Sequence, residues 1–416
     1  MRKDRAEPSA QGQSQASSGR PGWLLPVAVG AVVLVAVGAL LLVVGDGGDD
    51  VASSTSVPPI PSTDTAPSTT ALTSTTSTST STTVPATTST TSTTTSTLPP
   101  PTTSVVNGIP VFEPYEPLPG IDGVAALTGL VADGEVTSRS IIAVKVDNVR
   151  QARPQWGLEQ ADVIFEENVE QATRFVALLH SEQPDRIGPV RSARTGDIDI
   201  LAGMNRPILA WSGGNRGVTR WIGAASDAGL IVDFTAQRNP CYARTSAKSA
   251  PHNLLLDPAC ARSERSFGPG AARPLWWIDA DWELPRSSFA EPSTEFDVEM
   301  DGNRVTWRWD ETTQTYLRFQ NGAAHVTQSG DQLAFTNVIE LYSPHFPSPV
   351  DGRSPNPLTT GRDRAVVHRA GTTIEGVWER RSPIDPFVFI DANTGELIAL
   401  APGTTFVEIV RNPAFG

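Results

Sequence analysis

Residues 51–104 constrain the folding of this chain more than any other segment, because 43 of these 54 residues are Ser, Thr or Pro and only Asp64 is charged. A segment of this composition cannot bury enough apolar surface to offset the conformational entropy that it would lose on ordering. We therefore predict a disordered stalk over 46–108 and a folded part that begins near residue 109. As a flexible coil, the stalk would span roughly 40 Å root-mean-square.

An uncharged apolar segment precedes the stalk. Residues 24–44 form a run of 21 residues without a charged side chain, and as a helix they would span roughly 31 Å, the thickness of a bilayer hydrocarbon core. Most charged residues before this run are arginine or lysine, and three aspartates follow it. The positive-inside rule therefore places the N-terminus in the cytoplasm. We predict a cytoplasmic tail over 1–22, a single-pass transmembrane signal anchor over 23–45, and an extracytoplasmic C-terminal part. The rival interpretation is a cleaved signal peptide, but no cleavage-site pattern of small residues follows the apolar run.

The charge balance narrows the possible functions. The chain carries 32 Lys and Arg residues against 45 Asp and Glu residues, a net charge of −13, whereas nucleic-acid-binding proteins depend on clustered cations. Two cysteines and five scattered histidines provide no zinc-ligand spacing, and no phosphate-binding glycine motif follows a predicted strand. We predict no nucleic-acid partner, no metal and no cofactor.

The two cysteines are Cys241 and Cys260. An exported domain lies in an oxidising compartment, where paired cysteines form disulfides. We predict a disulfide between them, and a bridge that closes this loop of roughly 20 residues stabilises the fold by about 3 kcal/mol in the chain-entropy model.

The folded part divides into two halves with different patterns. In 109–285, short apolar runs such as 141–147 alternate with amphipathic stretches such as 216–228, which predicts a mixed sheet covered by helices. In 286–416, nine short alternating runs are separated by turn sequences rich in Gly and Asn, which predicts antiparallel β structure. We predict an α+β fold, with a mixed α/β N-terminal half followed by an antiparallel β-rich C-terminal half.

Three motifs in the first half are distinctive: RPQWGLEQAD at 153–162, GPVRSAR at 188–194 and APHNL at 250–254. With them the sequence resembles the YerB-like family of bacterial envelope lipoproteins, from about Ala125 almost to the end of the chain. The resemblance implies a two-part domain of unknown function, without an enzymatic activity that could be carried over. Relatives usually carry a lipid-attachment cysteine, which this sequence lacks after its apolar run, so the predicted membrane helix would replace the lipid anchor.

Polar residues follow several predicted strands of the first half. Because ligand pockets form outside the carboxyl ends of strands in open α/β sheets, we predict a binding cleft there, in which arginines could bind a carboxylate or phosphate. The candidate cleft residues are Asp147, Asn148, Arg153, Glu166, Glu167, Arg174, Arg191, Arg194, His252 and Asn253.

Several functions remain open. The leading hypothesis is a membrane-anchored extracytoplasmic cell-envelope protein that binds a cell-wall component or a partner protein without catalysis. The alternative is a carboxylate-dependent glycan hydrolase of the cell wall, which would use a pair such as Glu166 and Glu170. A serine hydrolase with Ser212, Asp233 and His252 in this chain order is a weaker option. Finally, the charged residues could form an internal salt-bridge network that only holds the fold together.

The predicted topology has a direct test. A reporter enzyme fused after Gly416 should be active outside the cell, because a signal anchor with a cytoplasmic N-terminus exports everything that follows it. The same reporter fused at residue 22 should be active inside. Cytoplasmic activity of the first fusion would contradict the topology.

Overall fold

A computed structural model describes residues 104–106, 109–112, 122–264, 268–279 and 290–412. The predicted cytoplasmic tail, the transmembrane segment and nearly all of the stalk lie outside these residues. Within the described ranges, none of the helices has the length and apolar character that a membrane crossing requires.

Strands dominate the described part of the chain. The strands of the first half are β1 (Ser104–Val106), β2 (Ile109–Val111), β3 (Ile142–Asp147), β4 (Val163–Val169), β5 (Ala172–Leu179), β6 (Ile208–Trp211), β7 (Val232–Thr235), β8 (Tyr242–Arg244) and β9 (Leu254–Leu256). Those of the second half are β10 (Glu291–Pro292), β11 (Glu295–Met300), β12 (Asn303–Asp310), β13 (Thr315–Gln320), β14 (Ala323–Ala324), β15 (Ala334–Phe335), β16 (Asn337–Ser343), β17 (His345–Pro347), β18 (Pro355–Pro357), β19 (Gly361–Arg369), β20 (Thr372–Arg380), β21 (Val388–Asp391) and β22 (Thr405–Arg411). The α-helices are α1 (Gly134–Thr137), α2 (Gly196–Leu201), α3 (Arg216–Asp227) and α4 (Pro258–Ser263), and short 3-10 turns cover Arg150–Ala152, Leu158–Gln160 and Ala202–Met204.

One mixed sheet of 11 strands contains strands from both halves of the chain. Its order is β10-β20-β19-β16-β22-β4-β5-β3-β6-β7, and β21 also pairs with β20. The last strand in the sequence, β22, lies between β16 and β4 and is parallel to both. The two halves recognised in the sequence therefore share a single sheet, and the strand that joins them comes from the end of the chain.

The sheet has a core on each face. On the first face, which we call the helix side, α2 and α3 pack against alternate residues of the central strands, such as Phe165 and Val176. On the second face, the small-sheet side, the neighbouring residues of the same strands, such as Ile164 and Phe175, pack against a five-stranded antiparallel sheet of β11–β15. The α+β fold predicted from the sequence is confirmed. The central strands are apolar on both faces because each face is covered.

Helix α3 illustrates how local sequence produces an element. The side chain of Asn215 accepts a hydrogen bond from the backbone N–H of Val218 at 2.9 Å, so it caps the first turn. Val218, Trp221, Ile222 and Ala225 follow at helical spacing and are buried in the helix-side core.

Two details differ from the sequence prediction. The strand pair β1–β2 begins at Ser104, inside the predicted stalk, because two valines precede an Asn-Gly sequence that favours a hairpin. The run at 396–401 forms isolated bridges through Leu397 and Leu400 instead of a strand. The predicted disulfide between Cys241 and Cys260 is present, with the two Cα atoms 5.5 Å apart.

The shared sheet predicts that both halves unfold together. Phe406 of β22 is fully buried and contacts Phe175 of the first half and Trp307 of the second, with ring centroids 5.9 and 5.0 Å away. We expect Phe406→Ala to lower the free energy of unfolding by about 3–5 kcal/mol and to expose the amides of β3–β5 and β16–β20 together in hydrogen exchange. The control Val326→Ala, at a residue that is 41% exposed, should change it by less than about 0.5 kcal/mol. Loss of protection in only one half would contradict this prediction.

Candidate functional site

Three arginines gather near the carboxyl end of β3 on the helix side. Arg174 lies on β5, directly opposite Asp147, the last residue of β3. Arg191 and Arg194 lie on the segment that leads into α2, and the backbone N–H of Arg191 donates to the carbonyl of Lys145 at 2.8 Å. This pairing brings the GPVRSAR motif alongside β3. We call Arg174, Arg191, Arg194 and their charged neighbours the arginine cluster.

Most cations in the arginine cluster have a carboxylate partner. Arg191 Nε lies 3.1 Å from Asp147 Oδ2, and His252 Nδ1 lies 2.7 Å from the same oxygen. The guanidinium of Arg194 donates to both oxygens of Glu170, at 2.7 and 3.0 Å. One further cation, a lysine, is enclosed by two acids. Its contacts are Lys145 Nζ to Asp197 Oδ1 at 2.7 Å and Lys145 Nζ to Glu167.

Arg174 is the exception among these cations. Its residue surface is only 8% exposed, yet no described carboxylate lies within ion-pair distance of its guanidinium. Its one hydrogen bond among the described residues runs from Nη1 to the carbonyl oxygen of Ser192 at 3.1 Å. The guanidinium therefore has one neutral acceptor in the described part of the protein, and its other N–H groups are left for water or a ligand.

Burial and the neighbouring cations lower pKa values in the arginine cluster. Burial, followed by the nearby charges of Arg194 and Arg191, lowers the pKa of Arg174 to about 10. Burial lowers the pKa of Lys145 to about 8, although Asp197 opposes the shift. The three arginines and Lys145 match the four neighbouring carboxylates in number, but none of these carboxylates lies within ion-pair distance of Arg174, and an incoming anion would stabilise its charge.

A second charged cluster lies on the small-sheet side and is fully buried. Arg318 of β13 donates to Glu166 of β4, and Glu408 of β22 lies beside Glu166 in the parallel register. The indole N–H of Trp307 donates to Glu408 at 3.2 Å. Burial and the neighbouring Glu166 raise the pKa of Glu408 well above its ordinary value. We call this group the Arg318 cluster.

The protonation of His325 in the Arg318 cluster follows from its partners. A guanidinium can only donate, so Nδ1 of His325 accepts from Arg318, and Nε2 carries the proton that it donates to Gln155 Oε1 at 3.0 Å. Burial and the charges of Arg318 and Arg153 lower the pKa of His325 well below its ordinary value, which agrees with a neutral ring. Most polar atoms of the cluster are thus bonded within it, although Nε of Arg318 and one carboxyl oxygen of Glu408 have no hydrogen-bond partner among the described residues.

The structure divides the predicted cleft between these two clusters. Consecutive residues of a strand point to opposite faces, so Glu167 joins the arginine cluster while Glu166 joins the Arg318 cluster. Asn148 also lies with Glu166, to which it donates at 3.0 Å. Asp147, Arg174, Arg191, Arg194 and His252 remain together as predicted.

The last two predicted residues have other surroundings. Arg153 is half-buried, and burial followed by the charge of Arg318 lowers its pKa while Glu166 opposes the shift, so it lies at the edge of the Arg318 cluster. Asn253 accepts from Arg244 at 2.7 Å and donates to the carbonyl of Thr245 at 3.0 Å. It therefore holds the loop between β8 and β9 together, and among the described residues no hydrogen bond joins it to the arginine cluster.

Neither hydrolase arrangement is assembled among the described residues. Glu166 has no exposed surface, and β4 continues to Val169 instead of turning helical at Glu167. Ser212 accepts a hydrogen bond from Gln237 at 3.3 Å, whereas His252 bonds to Asp147. In the described ranges, no group of three or more His, Cys, Asp and Glu side chains is arranged to hold a metal ion.

The sequence analysis did not identify several members of the two clusters. These are Lys145, Asp197, Gln155, Trp307, Arg318, His325 and Glu408. The sequence does mark two of them, because Lys145 and Glu408 are charged residues with apolar neighbours on both sides within a strand. Their partners lie far away in sequence, so the spacing of residues could not pair them.

Breaking the Arg318 cluster should be strongly destabilising. We expect Arg318→Gln to lower the free energy of unfolding by about 3–5 kcal/mol, because it leaves the buried Glu166 carboxylate without its cation. Urea unfolding measures this change. The control Arg362→Gln removes an exposed pair with Glu379 and should cost less than about 1 kcal/mol. Equal effects of the two substitutions would refute a structural role for the cluster.

Comparisons with known proteins agree with this architecture. The N-terminal domain model described as "Protein of unknown function (DUF3048)" matches residues 127–266, and the corresponding C-terminal domain model matches 296–407. YerB of Bacillus subtilis, a protein named as a lipoprotein, is 28% identical over 300 residues, which cover 69% of this chain and 86% of that protein. The crystal structure of Bacillus subtilis YerB is similar with a TM-score of 0.59 and 25% identity, and the match covers 69% of this chain and 96% of the YerB chain.

The two domain models together match more than half of the chain, in the order that the sequence motifs indicated. The resemblance stated from these motifs is confirmed. This chain belongs to the YerB-like family, which is defined by the N-terminal and C-terminal DUF3048 domains.

Proposed function

We propose that this chain is a membrane-anchored, extracytoplasmic protein of the cell envelope, whose folded part binds an anionic cell-wall component at the arginine cluster. The observation that carries the proposal is Arg174, a nearly buried guanidinium without a carboxylate partner among the described residues. Arg191 and His252 lie beside it and are partly exposed, at 24% and 20% of their side-chain surface.

The chemistry of arginine supports an anionic ligand. Removing a cation from water is unfavourable unless an anion or several acceptors replace the lost solvation. Arg174 has one hydrogen-bond acceptor, and burial with the charges of Arg194 and Arg191 outweighs the attraction of the nearby carboxylates, so its pKa is lowered. A carboxylate or phosphate would accept hydrogen bonds from the remaining N–H groups of the planar guanidinium, and its negative charge would stabilise the positive charge of Arg174.

The location rests on separate observations. The similar Bacillus subtilis protein is named as a lipoprotein, which supports association with the envelope membrane. The disulfide supports an oxidising compartment. Residues 23–45 would form a single-pass anchor with the N-terminus in the cytoplasm, and the Ser/Thr/Pro-rich stalk would hold the binding part away from the bilayer.

Binding fits the geometry better than catalysis. A general acid or nucleophile must contact the substrate, whereas Glu166 is fully buried and bonded to Arg318. Arg174, by contrast, lies where a ligand can reach it from the partly exposed side of the cluster. An acidic envelope protein would satisfy the same arginines, and the experiment below separates it from a wall component.

Replacing Arg174 should weaken binding to cell wall without lowering the stability of the fold. We expect Arg174→Gln in the full-length chain, purified in detergent, to reduce cosedimentation with isolated cell wall at least about tenfold. Thermal unfolding should occur at the same or a higher temperature, because the substitution removes a charge that Arg191 and Arg194 repel.

Controls distinguish the alternatives for Arg174. Arg362→Gln, which removes an exposed arginine, should bind cell wall normally. Normal wall binding by Arg174→Gln would overturn the proposal. If the unaltered chain does not sediment with wall but retains an acidic envelope protein through Arg174, the ligand is a protein. Release of reducing ends that disappears in Glu166→Gln would instead support a hydrolase.

A further inference from the structure

We infer that a pocket adjoining the arginine cluster is a sugar subsite, so that the ligand is a glycan that carries a carboxylate or a phosphate. This inference rests on the proposed function and names its ligand class. The evidence is the position of the pocket, the chemistry of its lining, and a continuous line of contacts from the pocket to Arg174.

The pocket lies at the carboxyl ends of the parallel strands β6 and β7, and its volume is about 460 Å³. This volume is within the range of small-molecule sites, and the position is where ligands bind in open α/β sheets. Its lining residues include Trp211, Gly213, Gly214, Asp233, Gln237 and Arg238.

The lining carries more apolar than polar surface, part of it from the largely buried Trp211, and its charged side chains form a balanced pair. Asp233 pairs with Arg238 and accepts from the indole N–H of Trp211 at 2.8 Å. Gln237 adds an amide, which can donate and accept. Sugar hydroxyls also donate and accept, so a carboxylate, an amide and a guanidinium around an aromatic residue suit a sugar ring. A second anionic group would meet the carboxylate of Asp233, which makes an uncharged part of the ligand the better occupant.

Two glycines form the loop between β6 and α3 at the pocket. Gly213 and Gly214 have φ angles of +92° and +138°, which side-chain-bearing residues rarely adopt. A Cβ atom on Gly213 would lie 2.9 Å from Ser192 Oγ, and one on Gly214 would lie 3.4 Å from the ring of Trp211. The loop backbone can thus approach both the GPVRSAR segment and the indole closely.

The pocket and the arginine cluster share a wall. Gln237 donates to Ser212 Oγ at 3.3 Å, and the backbone N–H of Ser212 donates to the carbonyl of Arg191 at 2.9 Å. The next residue, Ser192, contacts the glycine loop and accepts from Arg174. A sugar ring in the pocket would therefore place an anionic substituent toward Arg174, and one ligand could use both sites.

Ligand-observed NMR on the full-length chain in detergent tests the sugar subsite. The probes are glucuronic acid, glucose 6-phosphate, glucose and inorganic phosphate. We expect one of the two charged sugars to bind at least about tenfold more tightly than glucose or inorganic phosphate, because only a charged sugar uses both sites. The identity of the tighter sugar shows whether the anionic group is a carboxylate or a phosphate.

Two substitutions separate the pocket from the arginine cluster. Gln237→Ala should weaken the charged sugar about five- to tenfold and leave inorganic phosphate unchanged. Arg174→Gln should weaken the binding of the charged sugar and of inorganic phosphate. The control Gln183→Ala removes an exposed glutamine whose partner is Arg262, outside the pocket, and should bind every probe normally.

The outcomes distinguish this inference from the proposed function. If charged sugars bind no better than inorganic phosphate and Gln237→Ala has no effect, while Arg174→Gln still loses cell wall, the sugar subsite is wrong and the proposed function stands. If Arg174→Gln keeps both cell wall and inorganic phosphate, the proposed function fails, and the assignment of the ligand class fails with it.

Discussion

Parallel pairing of β22 with both β16 and β4 is the constraint on which the rest of this structure depends. The strand carries buried residues to both faces of the sheet, with Val407 and Ile409 on the helix side and Phe406 on the small-sheet side. It also aligns Glu408 with Glu166. A strand from the end of the chain thus closes a sheet that two sequence halves of different character could not form separately.

Two nearly buried arginines serve different purposes within this frame. Arg318 contacts Glu166, His325 and Gln320, so its charge is neutralised inside the fold, although its Nε has no hydrogen-bond partner among the described residues. Arg174 has a single backbone acceptor. The same kind of side chain therefore has a carboxylate within ion-pair distance in one cluster and lacks one in the other, which is the physical basis for proposing a structural role for the first and ligand binding for the second.

The sheet also explains why the two charged clusters do not merge. Glu166 and Glu167 are neighbours in sequence, but the alternation of β4 sends them to opposite faces, where different layers cover them. The helix-side cluster lies near the carboxyl ends of β3, β6 and β7, close to the surface. The small-sheet cluster lies beneath β11–β15. A ligand can therefore approach the helix-side cluster, whereas the five-stranded sheet covers the small-sheet cluster.

Local properties of this protein could be predicted from the sequence alone. Apolar spacing located β3, β4, β5 and α3 to within a few residues, alternating runs identified the β-rich second half, and the cysteine pair indicated the disulfide. The motif that contains Arg191 and Arg194 also pointed to the arginine cluster. These features depend on residues that are close in sequence, where spacing determines which side chains share a face.

Only the tertiary structure decided the rest. The insertion of β22 between β16 and β4, the burial of Glu166 against Arg318, and the absence of an ion pair of Arg174 with a described carboxylate all depend on pairings between distant segments. Residue spacing carries no information about such pairings, because many sheet orders satisfy the same alternation of apolar residues. Whether a charge is structural or available to a ligand is therefore determined by the partner that the fold brings to it.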